Sequence, residues 1–324
     1  ITLPTGIDKE GKDRTAVCCL SSLNLEKYDE WKDDENFISD IMRFLDNVLT
    51  DFIEKAPESF SDATYSALKE RSVGLGVMGL HSYFQQKMIP FESVMSKVWN
   101  KKIFEKIQKE VDKSSKDLAE ERGACPDAAD YGINERFSNK TAIAPTASIS
   151  IICGGTSPGV EPIAANSYTH KTLSGSFNVR NKYLEKLLEK HGKNDEETWS
   201  SITTNQGSVS HLEFLTQEEK DVFKTAFELD QRWIVDLGAD RTPHISQAQS
   251  INIFIPADIH KRDLHQIHFQ AWKKGLKSLY YCRSKSIQRA ENVNDTKITD
   301  VTANVYKSKK QTEQPEYEEC LSCQ

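Results

Sequence analysis

The sequence predicts an α/β fold, because strand-like segments alternate with long helical stretches, proline or glycine closes those segments, and no internal repeat organises the chain. The chain opens at Ile1 on "ITLPT", a strand-like piece with no methionine and no capping structure before it, so the start of the protein is expected elsewhere. From Phe37 to Ile53, apolar residues such as Ile38, Ile41, Met42, Leu45, Leu49 and Phe52 recur at three- and four-residue spacing, giving a helix with one broad buried face. A second long helix is expected from about Phe91 to Glu121, stopped by Gly123 with Pro126 just beyond. "TAIAPTASISII", Thr141 to Ile152, is β-rich and interrupted by Pro145, and reads as strand, loop, strand. Helical spacing returns from Thr216 to Leu237, "SINIFIP" has a strand's composition, and a helix from about Ala257 to Lys274 leads through Gly275 into "LKSLYYC", another strand. After Arg283 the chain turns polar, charged and aperiodic, which predicts a folded region over 1–285 and a mobile tail over 286–324.

Of the 324 residues, 37% are hydrophobic, enough for a large core. The net charge is −7 and the basic residues are dispersed among acids, so no phosphate-tracking stripe marks a binder of polymeric nucleic acid. There is no run of about twenty apolar residues and no charged-then-apolar leader, which points to a cytoplasmic chain without a membrane partner. Seven cysteines, an odd number without framework spacing, suit reduced thiols, and the Asn139-Lys140-Thr141 sequon then carries no message.

Several motifs divide between a structural and a functional reading. Gly74, Gly76 and Gly79 spell G-x-G-x-x-G, but "YSALKERSV" before them reads as helix, so close helix packing is expected in place of a dinucleotide site. "APTASIS" places three hydroxyls on a loop after a short strand, able to bind phosphate oxygens or to cap their own backbone. In a regular strand, Tyr280 and Tyr281 would point to opposite faces, one buried and one exposed; the alternative is a pair of redox-active phenols. Cys18 and Cys19 lie in apolar "AVCCLSSLNL", and they, Cys125, Cys153 and Cys282 fit small core hydrophobes. Cys320 and Cys323, in "ECLSCQ", are different. A closed zinc site needs four ligands and no histidine follows His268, so dithiol–disulfide exchange is the chemistry left to the pair.

Taken in order, "ITLPT", "AVCCLSSLNL", "RSVGLGVMGL", "ERGACP", "APTASIS" with "GVEP" downstream, "QSINIFI", "GLKSLYY" and a terminal cysteine pair resemble the C-terminal part of the large (α) subunit of class Ia ribonucleotide reductase. The resemblance implies the C-terminal half of a ten-stranded α/β barrel built from two five-stranded halves. It implies reduction of ribonucleoside diphosphates by thiyl-radical chemistry, with deoxyribonucleotide supply for DNA replication as the role. In that family the radical cysteine sits in an Asn-x-Cys-x-Glu segment just before the residues matching "ITLPT". The present 324 residues hold no such segment, so the implied reading is one piece of a split large subunit, a truncated chain being the alternative. A second reading is a non-catalytic remnant that binds partners.

Residue by residue, the resemblance makes Cys18 one of two substrate-reducing cysteines and leaves Cys19 without a role. Thr146, Ala147 and Ser148 match the loop that holds the substrate diphosphate. Tyr280 and Tyr281 match a stacked pair relaying a radical from the small subunit, which requires a local departure from strand geometry. Cys320 and Cys323 match the tail pair that passes electrons inward from thioredoxin or glutaredoxin. The implied partners are the N-terminal half and the small (β) subunit. No metal or cofactor is expected on this chain. The radical cofactor, diiron-tyrosyl or similar, belongs to the small subunit, and ATP or dNTP effectors belong to the N-terminal half.

Overall fold

In the computed structural model of the protein, the structure describes residues 2–172 and 175–284. Five parallel segments succeed one another in chain order: Cys19–Asn24, Val73–Met78, 141–143, 249–255 and Cys282–Ser284. Cys19–Asn24 pairs with Val73–Met78 in register Cys19↔Val73, bridges at Leu75↔Thr141 and Ile143↔Gln249 carry the pairing onward, and Ile253–Ile255 pairs with Cys282–Ser284. Backbone bonds from Leu75 N–H to the Lys140 carbonyl (2.9 Å), Ile143 N–H to Ala248 (3.1 Å) and Ile253 N–H to Tyr281 (2.9 Å) tie neighbours together. Parallel neighbours need long crossovers, and helices supply them. Phe37–Lys55 and Ser61–Glu70 lie between the first two segments, Leu80–Gln86 and Val94–Arg122 between the second and third, and Lys261–Lys273 between the last two. The result is the five-stranded half of an α/β barrel.

The long helices form where apolar periodicity is sustained, and the second is also capped. Phe37–Lys55 buries Ile38, Met42, Leu45 and Leu49 on one face. Val94–Arg122 starts where the Ser93 hydroxyl accepts the Ser96 N–H and stops at Gly123, whose φ of 86° ends the helix. These faces meet Val73, Leu75 and Val77 of the second strand in one core. Asp46, fully buried on the first helix, would be costly alone. Arg71 Nε (2.8 Å), Arg122 Nη1 (2.9 Å) and Arg136 Nε (3.0 Å) all donate to it, holding its carboxyl below the ordinary range despite burial.

Between the third and fourth segments the chain builds a satellite with its own small core of Leu184, Leu188, Trp199, Ile202 and Phe223, next to an antiparallel hairpin of Ser167–Thr172 and Gly175–Arg180.

Four expectations change. Ala147–Ile152 is a helix, where the β-rich composition suggested a strand. The helix read over 216–237 is two, Gln217–Val222 and Gln231–Arg241, because the Glu228 carboxylate takes the Thr225 N–H (2.8 Å) and Asp230 caps the second helix. The apolar spacing runs on through the break because Phe223, Ala226 and Leu229 are buried from the turn. Gly74 and Gly76 sit on a strand and make room for other strands: a Cβ at Gly76 would lie 2.2 Å from the Ala142 carbonyl oxygen. The "ITLPT" stretch is irregular over residues 2–5, before a two-residue hairpin pair, Gly6–Ile7 with Asp13–Arg14.

Candidate active site

Cys18 immediately precedes the first barrel strand and is partly buried. Gly74 pairs with Leu20 of the first strand, and a Cβ there would lie 2.4 Å from Leu20 Cδ2 and 3.0 Å from the Cys18 sulfur, so this glycine clears space for both side chains. Gln247 Nε2 donates to Cys18 Sγ at 3.1 Å. Burial pushes the thiol up to about 11, the glutamine bond working against that rise. Cys19 faces the other way, packed against the main core, with its thiol also raised by burial. Cys125 is buried, whereas Cys153 and Cys282 are exposed and so depart from the core reading.

The expected phosphate loop follows the third strand segment. Thr146 adopts a left-handed φ of 56° and its Oγ1 accepts the Gly159 N–H at 2.7 Å. Ser150 Oγ donates to the Ala147 carbonyl at 3.1 Å, the self-capping that the sequence left open. Ser148 is exposed in the first turn, where backbone N–H groups have no intrahelical acceptor. Two of the three hydroxyls are thus engaged with backbone, and Ser148 and the first-turn amides are the groups that face outward.

Tyr280 and Tyr281 precede the last strand in an irregular stretch. Their exposures are 42% and 43%, so the buried-and-exposed alternation of a regular strand does not apply. The ring centroids are 4.1 Å apart at 46° and the phenol oxygens lie 3.4 Å apart. Two backbone contacts impose this: Tyr280 N–H to the Ile251 carbonyl (2.8 Å) and Tyr281 N–H to Asn252 Oδ1 (2.9 Å). The rings are tilted over one another, the departure from strand geometry that a stacked pair requires.

Sequence reasoning gave no role to Glu161 of "GVEP". The residue is 7% exposed, and its Oε1 accepts the Asn252 N–H at 3.1 Å. Burial raises its carboxyl to about 7, against the Asn252 bond and the Arg283 guanidinium. Asn252 therefore links Glu161 to the backbone of Tyr281. A cavity of about 510 Å³, lined in part by Ala147, Ser150, Glu161, Asn252 and Arg283, joins the loop to this group, and Cys18 lies outside its lining. The only advance signal was the "GVEP" block itself. Cys320 and Cys323 lie outside the described residues.

The family profile described as "Ribonucleotide reductase, barrel domain" matches residues 7–134 and 127–282. The chain belongs to the ribonucleotide reductase barrel-domain family. It is 52% identical over 297 residues to the ribonucleoside-diphosphate reductase large subunit of Invertebrate iridescent virus 6, covering 90% of this chain and 30% of that protein. The large subunit of Invertebrate iridescent virus 3 is 45% identical, over 92% of this chain and 47% of that one. Among solved structures, the class Id ribonucleotide reductase alpha subunit of Actinobacillus ureae aligns with a TM-score of 0.78 and 42% identity, covering 84% of this chain and 50% of that one. The chain thus spans about a third to a half of these relatives' lengths.

Proposed function

We propose that this chain is the C-terminal catalytic part of a ribonucleoside-diphosphate reductase large subunit, acting with a polypeptide that carries the Asn-x-Cys-x-Glu radical segment and with a small, radical-generating subunit. The substrate is a ribonucleoside diphosphate, held through its phosphates by Ser148 and the first-turn amides after Thr146 and Ala147. A radical reaches the active-site cysteine through Tyr281 and Tyr280. Cys18 and a second cysteine supply two electrons as they become a disulfide while the 2′ hydroxyl leaves as water. Cys320 and Cys323 reduce that disulfide and are themselves re-reduced by thioredoxin or glutaredoxin. The place of work is the cytoplasm; among the described residues no helix is long and apolar enough to cross a membrane.

The observation that carries this reading is the tyrosine pair. Two half-exposed phenols 3.4 Å apart at their oxygens form an arrangement that packing alone does not favour, since it leaves both rings partly in water. It suits transfer of a proton and an electron between neighbours, and it is the ground for choosing a tyrosine-relay class, class Ia, over one without a relay. The test is Tyr281→Phe in the reconstituted enzyme. Phe keeps nearly all ring packing and removes only the O–H, so folding is retained and deoxynucleotide formation falls by more than about a hundredfold. Turnover equal to wild type would refute the relay.

A further inference from the structure

Cys18 is contacted by a side chain that no motif singled out. Gln247, 1% exposed and 229 residues away in sequence, reaches it from the segment beyond the third barrel strand. Its amide orientation is fixed by its partners. Nε2 also lies 3.2 Å from the Val73 carbonyl, which can only accept, so the NH₂ end must point to this side and thus to the Cys18 sulfur. On the other end, Oε1 accepts the Thr2 N–H at 3.3 Å. Gln247's own backbone N–H is bonded to the Thr141 carbonyl at 3.0 Å, which anchors the residue to the neighbouring strand. The amide is therefore locked at both ends with one N–H directed at sulfur.

We propose that Gln247 is a positioning residue for thiol exchange at Cys18, holding the sulfur in place and stabilising the thiolate that forms when the Cys18 disulfide is opened. The inference rests on the assignment of Cys18 as a redox cysteine under the proposed function. In the exchange step an incoming dithiol, as its thiolate, attacks the sulfur bonded to Cys18. A new sulfur–sulfur bond forms to the attacking sulfur, the old one breaks, and the electron pair leaves on Cys18 Sγ. The second thiol of the dithiol then resolves the mixed disulfide, so the dithiol is oxidised as the protein disulfide is reduced, and protons complete both cysteines. A leaving sulfur departs faster the better its charge is accommodated. Cys18 leaves into a partly buried setting in which Cys19 and Glu70 oppose negative charge. The Gln247 N–H is the group placed to receive it.

The test reads the thiol directly, in the full chain, without substrate or small subunit. Alkylation of Cys18 by iodoacetamide is followed against pH by mass spectrometry, with Cys18 and Cys19 resolved by fragmentation of the tryptic peptide from Thr15 to Lys27. Gln247→Leu removes the donor at similar volume, and Gln247→Glu replaces it with an acceptor; each is scored where its thermal melt matches wild type. The expected result for both is alkylation slower by on the order of tenfold at pH 8.5, with the profile displaced to higher pH. A residue that merely packs against Cys18 would give the opposite, faster alkylation from a loosened site. Unchanged or faster alkylation in either folded variant overturns the proposal. Cys18→Ser in the reconstituted enzyme separately tests the redox assignment: full turnover there would sink that assignment, whatever the alkylation shows.

Discussion

A carboxyl buried beside one guanidinium, as at Glu161, gives stability a pH dependence opposite to that of a salt-bridged acid. Its folded value is raised to about 7 from the ordinary 4.5. The folded state then holds a proton that the unfolded chain releases, so the contribution is fully present below pH 4.5 and is lost as pH rises through 7. The difference is worth about 3 kcal/mol. Glu161→Gln keeps an acceptor for the Asn252 N–H and cannot ionise, so denaturant unfolding at pH 5 and pH 8.5 will show a smaller loss of stability in the variant than in wild type, by about that amount. Equal losses would mean that Glu161 is ionised in the fold. Neither this residue nor Gln247 was legible in the sequence, and the reason is separation: Glu161 meets Asn252 across 91 residues and Gln247 meets Cys18 across 229. Cys18 and the tyrosine pair could be singled out in the sequence because each sits in a local block with a recognisable neighbourhood. The tilted contact of the two rings depends on Ile251 and Asn252, which the block "LKSLYYC" does not contain.

At the scale of elements, the second strand is the one least able to change. Gly76 lies where an added Cβ would be 2.2 Å from the Ala142 carbonyl oxygen, a backbone atom that can move only if the second and third strands part. Gly76→Ala will therefore destabilise by more than about 3 kcal/mol, seen as a large drop in the denaturant midpoint or as loss of soluble protein. A melt within a few degrees of wild type would show that the pairing there is slack. The long helices were readable because they run for 19 and 29 residues with repeated apolar positions, the second bounded by Ser93 and Gly123. "SISII" was misread for a physical reason. β-branched content signals fit to a half-buried pleated surface, and here Ile149, Ile151 and Ile152 are exposed on a six-residue helix begun by the left-handed turn at Thr146. The barrel segment 141–143 makes its partners through single bridges, and its β-rich composition before Pro145 was enough to mark it as a strand.

For the whole molecule, the α/β class and the half-barrel were accessible from alternating elements and ordered blocks, whereas the satellite over 182–223 left no signature beyond ordinary helical spacing. The proposed tail pair carries its own prediction. The proposed shuttle needs reach, and 320 − 292 = 28 residues would span roughly 30 Å if they formed a random chain. In the assembled enzyme, Cys320→Ser or Cys323→Ser should leave the first turnover of pre-reduced protein intact and stop thioredoxin-driven multiple turnover, with partial rescue by dithiothreitol; sustained thioredoxin-driven turnover would remove the tail from the pathway. The central claim is that this chain supplies the reducing cysteine and the tyrosine relay while another polypeptide supplies the radical cysteine. The most direct measurement is deoxynucleoside diphosphate formation by the chain mixed with a polypeptide bearing Asn-x-Cys-x-Glu and a small subunit, with each component left out in turn. Turnover is expected only from the three-part mixture and is abolished by Cys18→Ser; product from this chain and the small subunit alone, or undiminished product with Cys18→Ser, would contradict it.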